Sequence, residues 1–246
     1  AALAAHASLA DDPCNALREV FVAVDASLAL SVDATVSGTT AVTCLVRGSR
    51  IYVANSGDSR AVMYRRAGGA VGAEGGSEGG SEGGGGDDRD DGDGRGAALV
   101  AVDLTTDQKP DSPGEMERIL AMGGYISAAT RNAPSRVWHK LRGLAMARSI
   151  GDHAAAKVGV IAEPVVDEYT VSNDDACLIV ASDGVWELLT SDDVARVMET
   201  VEGLEPAAVC EAIMARASHE WRVLEGAYRD DITIVAVRMA SLPWRA

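Results

Sequence analysis

The 246 residues are 47% hydrophobic and carry a formal net charge of −15. A chain of this length and apolar content can bury a sizeable core, and so acidic a surface excludes the phosphate backbone of nucleic acids as the main partner, leaving a cation or a basic substrate. No apolar run reaches the ~18 residues needed to cross a bilayer, and at 4% aromatic content the core is expected to be packed layers rich in Ala, Val, Leu and Ile. Residue 1 is Ala and the chain opens inside a helical pattern, so the true N-terminus and any targeting signal are expected upstream. Cys14, Cys44, Cys177 and Cys210 are scattered among apolar neighbours without a CxxC pair, which reads as reduced thiols of an intracellular protein, cytoplasmic or nuclear.

In chain order, Asp12-Pro13 is a helix start, followed by an apolar stripe of Leu17, Val20, Phe21, Val24 and Leu28. The period then changes to that of strands over residues 40–46, 51–54 and 61–64. With a turn at Gly48-Ser49 and a tight segment at 55–58, these predict an antiparallel meander in which Asp58 is a turn residue. Residues 68–96 hold two GGSE units, a run of glycines and an acidic tail. They cannot bury enough apolar area to offset their ordering entropy, and are predicted to be a disordered surface insertion between neighbouring strands of a single domain covering residues 1–246. No register of Asp87 to Asp93 fits an EF-hand calcium loop.

A strand is expected over 98–104, then a helix opened by Ser112-Pro113-Gly114-Glu115 and closed by Gly123-Gly124. Strands follow at 165–170 and 177–182, a helix capped by Thr190 with Asp193 three residues on, a helix from Pro206 to about Val223, and a last buried strand at 232–237. Strands outnumber helices and hairpins dominate, which indicates an α+β sandwich.

Asp183, Asp230 with Asp231, and Asp107 each stand at the end of an apolar strand, where a rigid backbone can hold a carboxylate toward a cleft. Carboxylates that converge repel one another unless a cation holds them, and hard oxygen donors select Mg²⁺ or Mn²⁺. Taken singly, each Asp is more often a turn former or a helix cap than a metal ligand.

SGTTAV (residues 37–42), VANSGDSRAV (53–62), LTTDQKP (104–110), RILAMGG (118–124), GLAMARSIGD (143–152), ASDGVWELL (181–189) and YRDDITIV (228–235) follow one another in this order. The series resembles the successive motifs of the type 2C, metal-dependent protein serine/threonine phosphatases, across nearly the whole chain outside the Gly/Asp-rich insertion. The resemblance implies a four-layer αββα sandwich of two antiparallel sheets flanked by helices, here without its first strands, and a centre of two Mg²⁺ or Mn²⁺ ions, with a third held more weakly. It makes Asp183 and Asp230 metal ligands, with Asp231 standing where an Asn is usual, and Asp107 a ligand of the third ion. It also implies hydrolysis of phosphoserine and phosphothreonine in proteins by a metal-bridging water, by a monomeric enzyme that uses neither nucleic acid nor membrane.

The family's first strands carry an acidic residue, an Asp-Gly-His-Gly-Gly motif and a phosphate-binding Arg; none of these occurs in the chain, so the catalytic residues are expected upstream of residue 1 and the isolated chain is expected to be nearly inactive. A non-catalytic module that binds a partner with the same sandwich is the alternative. Arg60 is expected to partner a nearby carboxylate, and Trp186 and Trp221 to lie in the core. Trp138 either packs or belongs to a substrate-contacting flap; Arg136, Lys140 and Arg142 beside it form a basic stretch that either assists phosphopeptide docking or is simply solvated.

Overall fold

Residues 2–67, 98–130 and 133–242 are described in a computed structural model. The expected insertion at 68–96 and the excluded calcium loop lie outside the described residues. Asp12 caps helix α1 (Pro13–Ser31) by accepting the Asn15 amide at 2.9 Å, with Pro13 in the first turn where no backbone donor is needed. Strands β1 (Gly38–Thr39), β2 (Ala41–Arg47), β3 (Arg50–Ser56), β4 (Arg60–Arg66) and β5 (Leu99–Asp103) precede helix α2 (Glu115–Ala121). Then come β6 (Tyr125–Ser127), β7 (Arg136–His139), β8 (Arg142–Leu144), β9 (Ile150–Gly151), the short helix α3 (His153–Ala156), β10 (Val165–Thr170) and β11 (Asp175–Ala181). The chain continues through α4 (Asp183–Trp186), α5 (Ser191–Met198) and α6 (Pro206–Glu225) to β12 (Ile234–Arg238).

Two antiparallel sheets, in the orders β10-β3-β2 and β12-β11-β4-β5, stack face to face. Strand alternation explains the layering, because successive side chains point to opposite faces. Ile51 and Val53 of one sheet meet Ala61, Met63 and Leu178 of the other in the shared core. On the outer face of the larger sheet, Val62, Tyr64 and Ile179 pack under Val194, Ile213 and neighbouring residues of α5 and α6. On the other side, Leu17 and Phe21 of α1 cover Ala54 and Val166. The architecture is therefore helix, sheet, sheet, helix. Residues 61–64 of β4 are all fully buried, which marks this strand as the centre of the fold.

The meander expected through β2, β3 and β4 is corrected. β3 pairs with β2 and β10, whereas β4 pairs with β11 and β5, so residues 57–59 carry the chain from one sheet to the other. Both strands bury both faces, and a tight turn between two such runs reads identically whether it closes a hairpin or crosses layers.

Three boundaries also differ. Helix α2 starts at Glu115 rather than at Pro113: Gly114 takes φ 81° and donates its amide to Glu117, while Ser112 Oγ accepts the Lys109 amide. Strand β11 starts at Asp175 because this buried carboxylate is satisfied, accepting from Arg65 Nε and the Tyr169 hydroxyl at 2.9 Å each and from the Ser172 amide at 2.7 Å. β12 starts at Ile234 because the residues before it are held elsewhere, as described below. A third small sheet, β6-β7-β8, has strands too short to carry a period in sequence.

Thr190 caps α5 as expected: its Oγ1 accepts the Asp193 amide at 3.1 Å, and Asp193 accepts the Thr190 amide at 2.9 Å. Thr190→Ala is expected to cost about 1 kcal/mol, read as a lower urea midpoint at unchanged slope. The Thr190 hydroxyl first, and its amide second, hold the Asp193 carboxyl down from 3.8 to about 2. A depressed carboxyl contributes its stability above its unfolded pKa and loses it as pH falls, so the gap between parent and variant should close on acidification toward pH 2.

Candidate active site

The ends of β3, β11 and β12 are where local bonding places acidic side chains together. Ser182 joins the two strands of the larger sheet beyond their ladder: its amide donates to the Thr233 carbonyl at 3.1 Å, its Oγ donates to the Asp231 carbonyl and accepts the Thr233 amide, each at 3.0 Å. Asp183, next in sequence, opens α4. Gly184 then lets the backbones close up, because a Cβ there would stand 2.3 Å from the Asp231 carbonyl oxygen. Trp221 of α6 seals this junction by donating its indole N–H to the Gly184 carbonyl at 2.7 Å, and Trp186 donates to the Ala181 carbonyl at 2.9 Å; both rings are buried, as expected.

A cavity of about 600 Å³ results, lined among others by Asp58, Asp152, Asp183, Asp230 and Asp231. Burial first, then the charges of Asp58 and Asp230, push the Asp183 carboxyl up from 3.8 to about 6, against the opposing pull of Lys109. Two of the three residues singled out from the sequence, Asp183 and Asp230, thus face the same space. Asp107 is placed differently: both its oxygens sit in the fork of Arg60 at 2.9 Å each, and Arg60 lies over the Trp186 ring at 5.1 Å. Arg60 is the carboxylate partner that the sequence led us to expect.

Asp58 is more than a turn former. It is 1% exposed, lines the cavity, and accepts from Lys109 Nζ at 2.7 Å. Burial works against the charge on Lys109, but Asp58 outweighs it, assisted by Glu187 at 3.3 Å, and its pKa rises. The crossing segment that carries Asp58 is pinned by Gln108, which accepts the Gly57 amide at 2.6 Å and donates to the Asn55 carbonyl at 3.1 Å. An Asp following Gly57 between two apolar strand runs was the available signal for this residue, and the expected meander hid it.

Asp152, at the end of GLAMARSIGD, was also missed. It is buried with a left-handed φ of 51°, and burial raises its carboxyl pKa. Its segment is fixed from both sides. β9 pairs with β1, the Asp152 amide donates to the Ser37 carbonyl at 2.8 Å, and Asp25 of α1 accepts from the Gly151 amide at 2.7 Å and bonds to His153 Nε2 at 3.0 Å. Just upstream, Arg148 reaches the buried Glu115 at 2.6 Å, and Glu115 also takes Arg118 at 2.7 Å.

Chemically, the cavity is a set of hard oxygen donors whose mutual repulsion favours a bound divalent cation. Among the described residues, no three His, Cys, Asp or Glu side chains are grouped to hold a metal ion. The donor chemistry fits Mg²⁺ or Mn²⁺, while the described side chains supply only part of a coordination shell.

A family model described as Protein phosphatase 2C matches residues 2–220. The chain is 35% identical to Probable protein phosphatase 2C 64 of Oryza sativa subsp. japonica over 89% of this chain and 47% of that protein. It is 31% identical to Probable protein phosphatase 2C 72 of Arabidopsis thaliana over 88% and 59% of the two. It therefore spans about half the length of the curated relatives it matches. Among solved structures, it superposes on a serine-threonine phosphatase 2C from Toxoplasma gondii with TM-score 0.66 at 18% identity, covering 94% of this chain and 70% of that one. It superposes on a C. elegans sex determining protein with TM-score 0.63 at 17% identity, covering 93% and 46%. At these identities the two structures show the shared fold.

Proposed function

Because this chain belongs to the protein phosphatase 2C family, we propose that it serves the metal-dependent hydrolysis of phosphoserine and phosphothreonine in proteins. The observation that carries this reading is the convergence of Asp183 and Asp230 on one cavity, where burial and then negative neighbours push the Asp183 carboxyl up to about 6. Asp183 and Asp230 would hold Mg²⁺ or Mn²⁺ there. Asp107 would join a third, weaker cation site only by giving up the fork of Arg60. When bound, such cations lower the pKa of a water and neutralise phosphoryl oxygens.

The chain's own residues supply a rigid frame. Ser182 and Gly184 hold the backbone at Asp183 against that of Asp231, next to Asp230, and Lys109, between Asp58 and Glu187, offsets part of the negative charge. Among the described residues, the buried thiols and the Ser59 hydroxyl are not set up as nucleophiles. Burial pushes the Cys44 and Cys177 thiols up to about 12, far from thiolates at neutral pH, and the Ser59 hydroxyl is tied to Thr40 at 2.8 Å. The acidic surface fits a monomer that handles phosphoproteins rather than nucleic acid, and the reduced thiols fit an intracellular setting, cytoplasmic or nuclear. Among the described residues, no helix is long and apolar enough to cross a membrane.

Release of phosphate from a phosphothreonine peptide, with Mn²⁺ and with EDTA, tests the reading. Turnover should require the metal, spare phosphotyrosine, and be slow, since the chain contains no Asp-Gly-His-Gly-Gly. Turnover that survives EDTA would rule the reading out. The incomplete ligand grouping favours a second reading, a phosphopeptide-binding module without catalysis. Binding in EDTA, with no turnover in Mn²⁺ even after an Asp-Gly-His-Gly-Gly segment is restored, would decide for it.

A further inference from the structure

A second cavity, of about 140 Å³, opens beside the carboxylate cleft and shares Val36, Leu144 and Asp152 with it. The two cavities therefore adjoin along one wall. The two differ in charge. The larger is walled by aspartates, whereas the residues found only in the smaller include His139 and Arg142, with Thr35, Gly143, Ala154 and Ala155 making up a small-side-chain floor. Asp152 is the single acid on the shared wall, and one of its oxygens lies toward the larger cavity: a Cβ on Gly38, which lines that cavity only, would stand 2.1 Å from Asp152 Oδ2.

Four other described guanidinium groups near this region are engaged. Arg136 donates to the Gly143 carbonyl at 3.0 Å, Arg118 and Arg148 hold Glu115, and Arg60 holds Asp107. Arg142 and His139 have no side-chain hydrogen bond or ion pair to any described residue, although five N–H donors on an exposed guanidinium are a strong match for a carboxylate or phosphoryl group. Their placement is nevertheless defined. They face each other across the β7-β8 hairpin, whose turn residue Lys140 has φ 57°. The base of that hairpin is anchored by Val137, which packs with Ile119, Ala147 and Val160, and by Trp138, whose ring N–H donates to Ser127 Oγ at 3.0 Å. The hairpin is thus a fixed arm presenting two unspent donors at the edge of the cleft.

We propose that Arg142 and His139 form a subsite for an anionic side chain of the substrate, a carboxylate or a second phosphoryl group near the phosphorylated residue. This rests on the phosphatase reading, and it makes the preferred substrates acidic phosphopeptides despite the acidic surface of the protein.

The test is fluorescence anisotropy of the chain in Mn²⁺ with labelled phosphothreonine peptides. Their flanks are all Ala, or carry one Glu or one phosphoserine moved stepwise along either side. At one position the anionic peptide should bind about five- to tenfold more tightly than the neutral one, and the stronger of the Glu and phosphoserine forms identifies the source of the charge. Arg142→Ala should remove the preference, Arg142→Lys should keep most of it, and Arg142→Glu should reverse it, with melting temperatures unchanged because the side chain is exposed and unpartnered. An equal preference in the parent and in Arg142→Glu overturns the proposal, as does a parent that binds the neutral phosphopeptide but gains nothing from added charge; in both cases the phosphatase reading stands. A parent that does not distinguish phosphorylated from unphosphorylated neutral peptide overturns both together.

Discussion

Asp183→Asn should give a protein that folds, melts higher than its parent without metal, and no longer responds to Mn²⁺. The first part follows from the crowding of negative charge: Asp183 is half-buried beside Asp58 and Asp230, so an uncharged side chain of the same shape relieves repulsion. Relief of about 1 kcal/mol raises the melting temperature of a domain of this size by about 2–4 °C. The second part follows from lost coordination. A cation that binds only the folded parent stabilises it by mass action, and the variant forfeits that gain along with phosphopeptide turnover, by at least about a hundredfold. Calorimetric scans with EDTA and with excess Mn²⁺ separate the two. If Mn²⁺ raised the melting temperature of the variant as much as that of the parent, Asp183 would not be a ligand.

Gly184→Ala should do the reverse, destabilising the protein with or without metal. The added methyl carbon would stand 2.3 Å from the Asp231 carbonyl oxygen and 2.9 Å from its carbon, atoms that cannot rotate away as a side-chain tip can. The loop before β12 must therefore shift. We expect a loss of about 2–4 kcal/mol in urea unfolding, together with weaker Mn²⁺ stabilisation, since the loop carries Asp230. A variant as stable as its parent would mean that the contact between these backbones does not hold the two carboxylates together.

The parts of this molecule that could be read from its residues are those where local chemistry and the final environment agree. Asp12-Pro13 and the Thr190–Asp193 pair act within a turn of themselves, and β10 is a self-contained run between polar ends. Asp183 and Asp230 stood out because each breaks an apolar strand, and they do share a cavity. Asp58 and Asp152 were hidden because their importance comes from partners far along the chain, Lys109 for the first and Ser37 for the second. Asp107 carried a strand-end signal like that of Asp183, yet the bond it makes is decided by Arg60, on a strand separated from it by the whole insertion. Local pattern cannot rank two such acids, whereas tertiary pairing does.

The hydrogen bond from the Ala67 amide to the Ala98 carbonyl, at 2.7 Å, closes the β4-β5 pair at the end of β4 remote from Asp58. Seven strand residues, roughly 20 Å at ~3.3 Å each, separate that closure from the acidic cleft. The two chain ends that meet at this closure therefore lie a full strand length from the carboxylates. One buried strand thus has a hydrogen-bonded closure at one pole and the acidic cleft at the other.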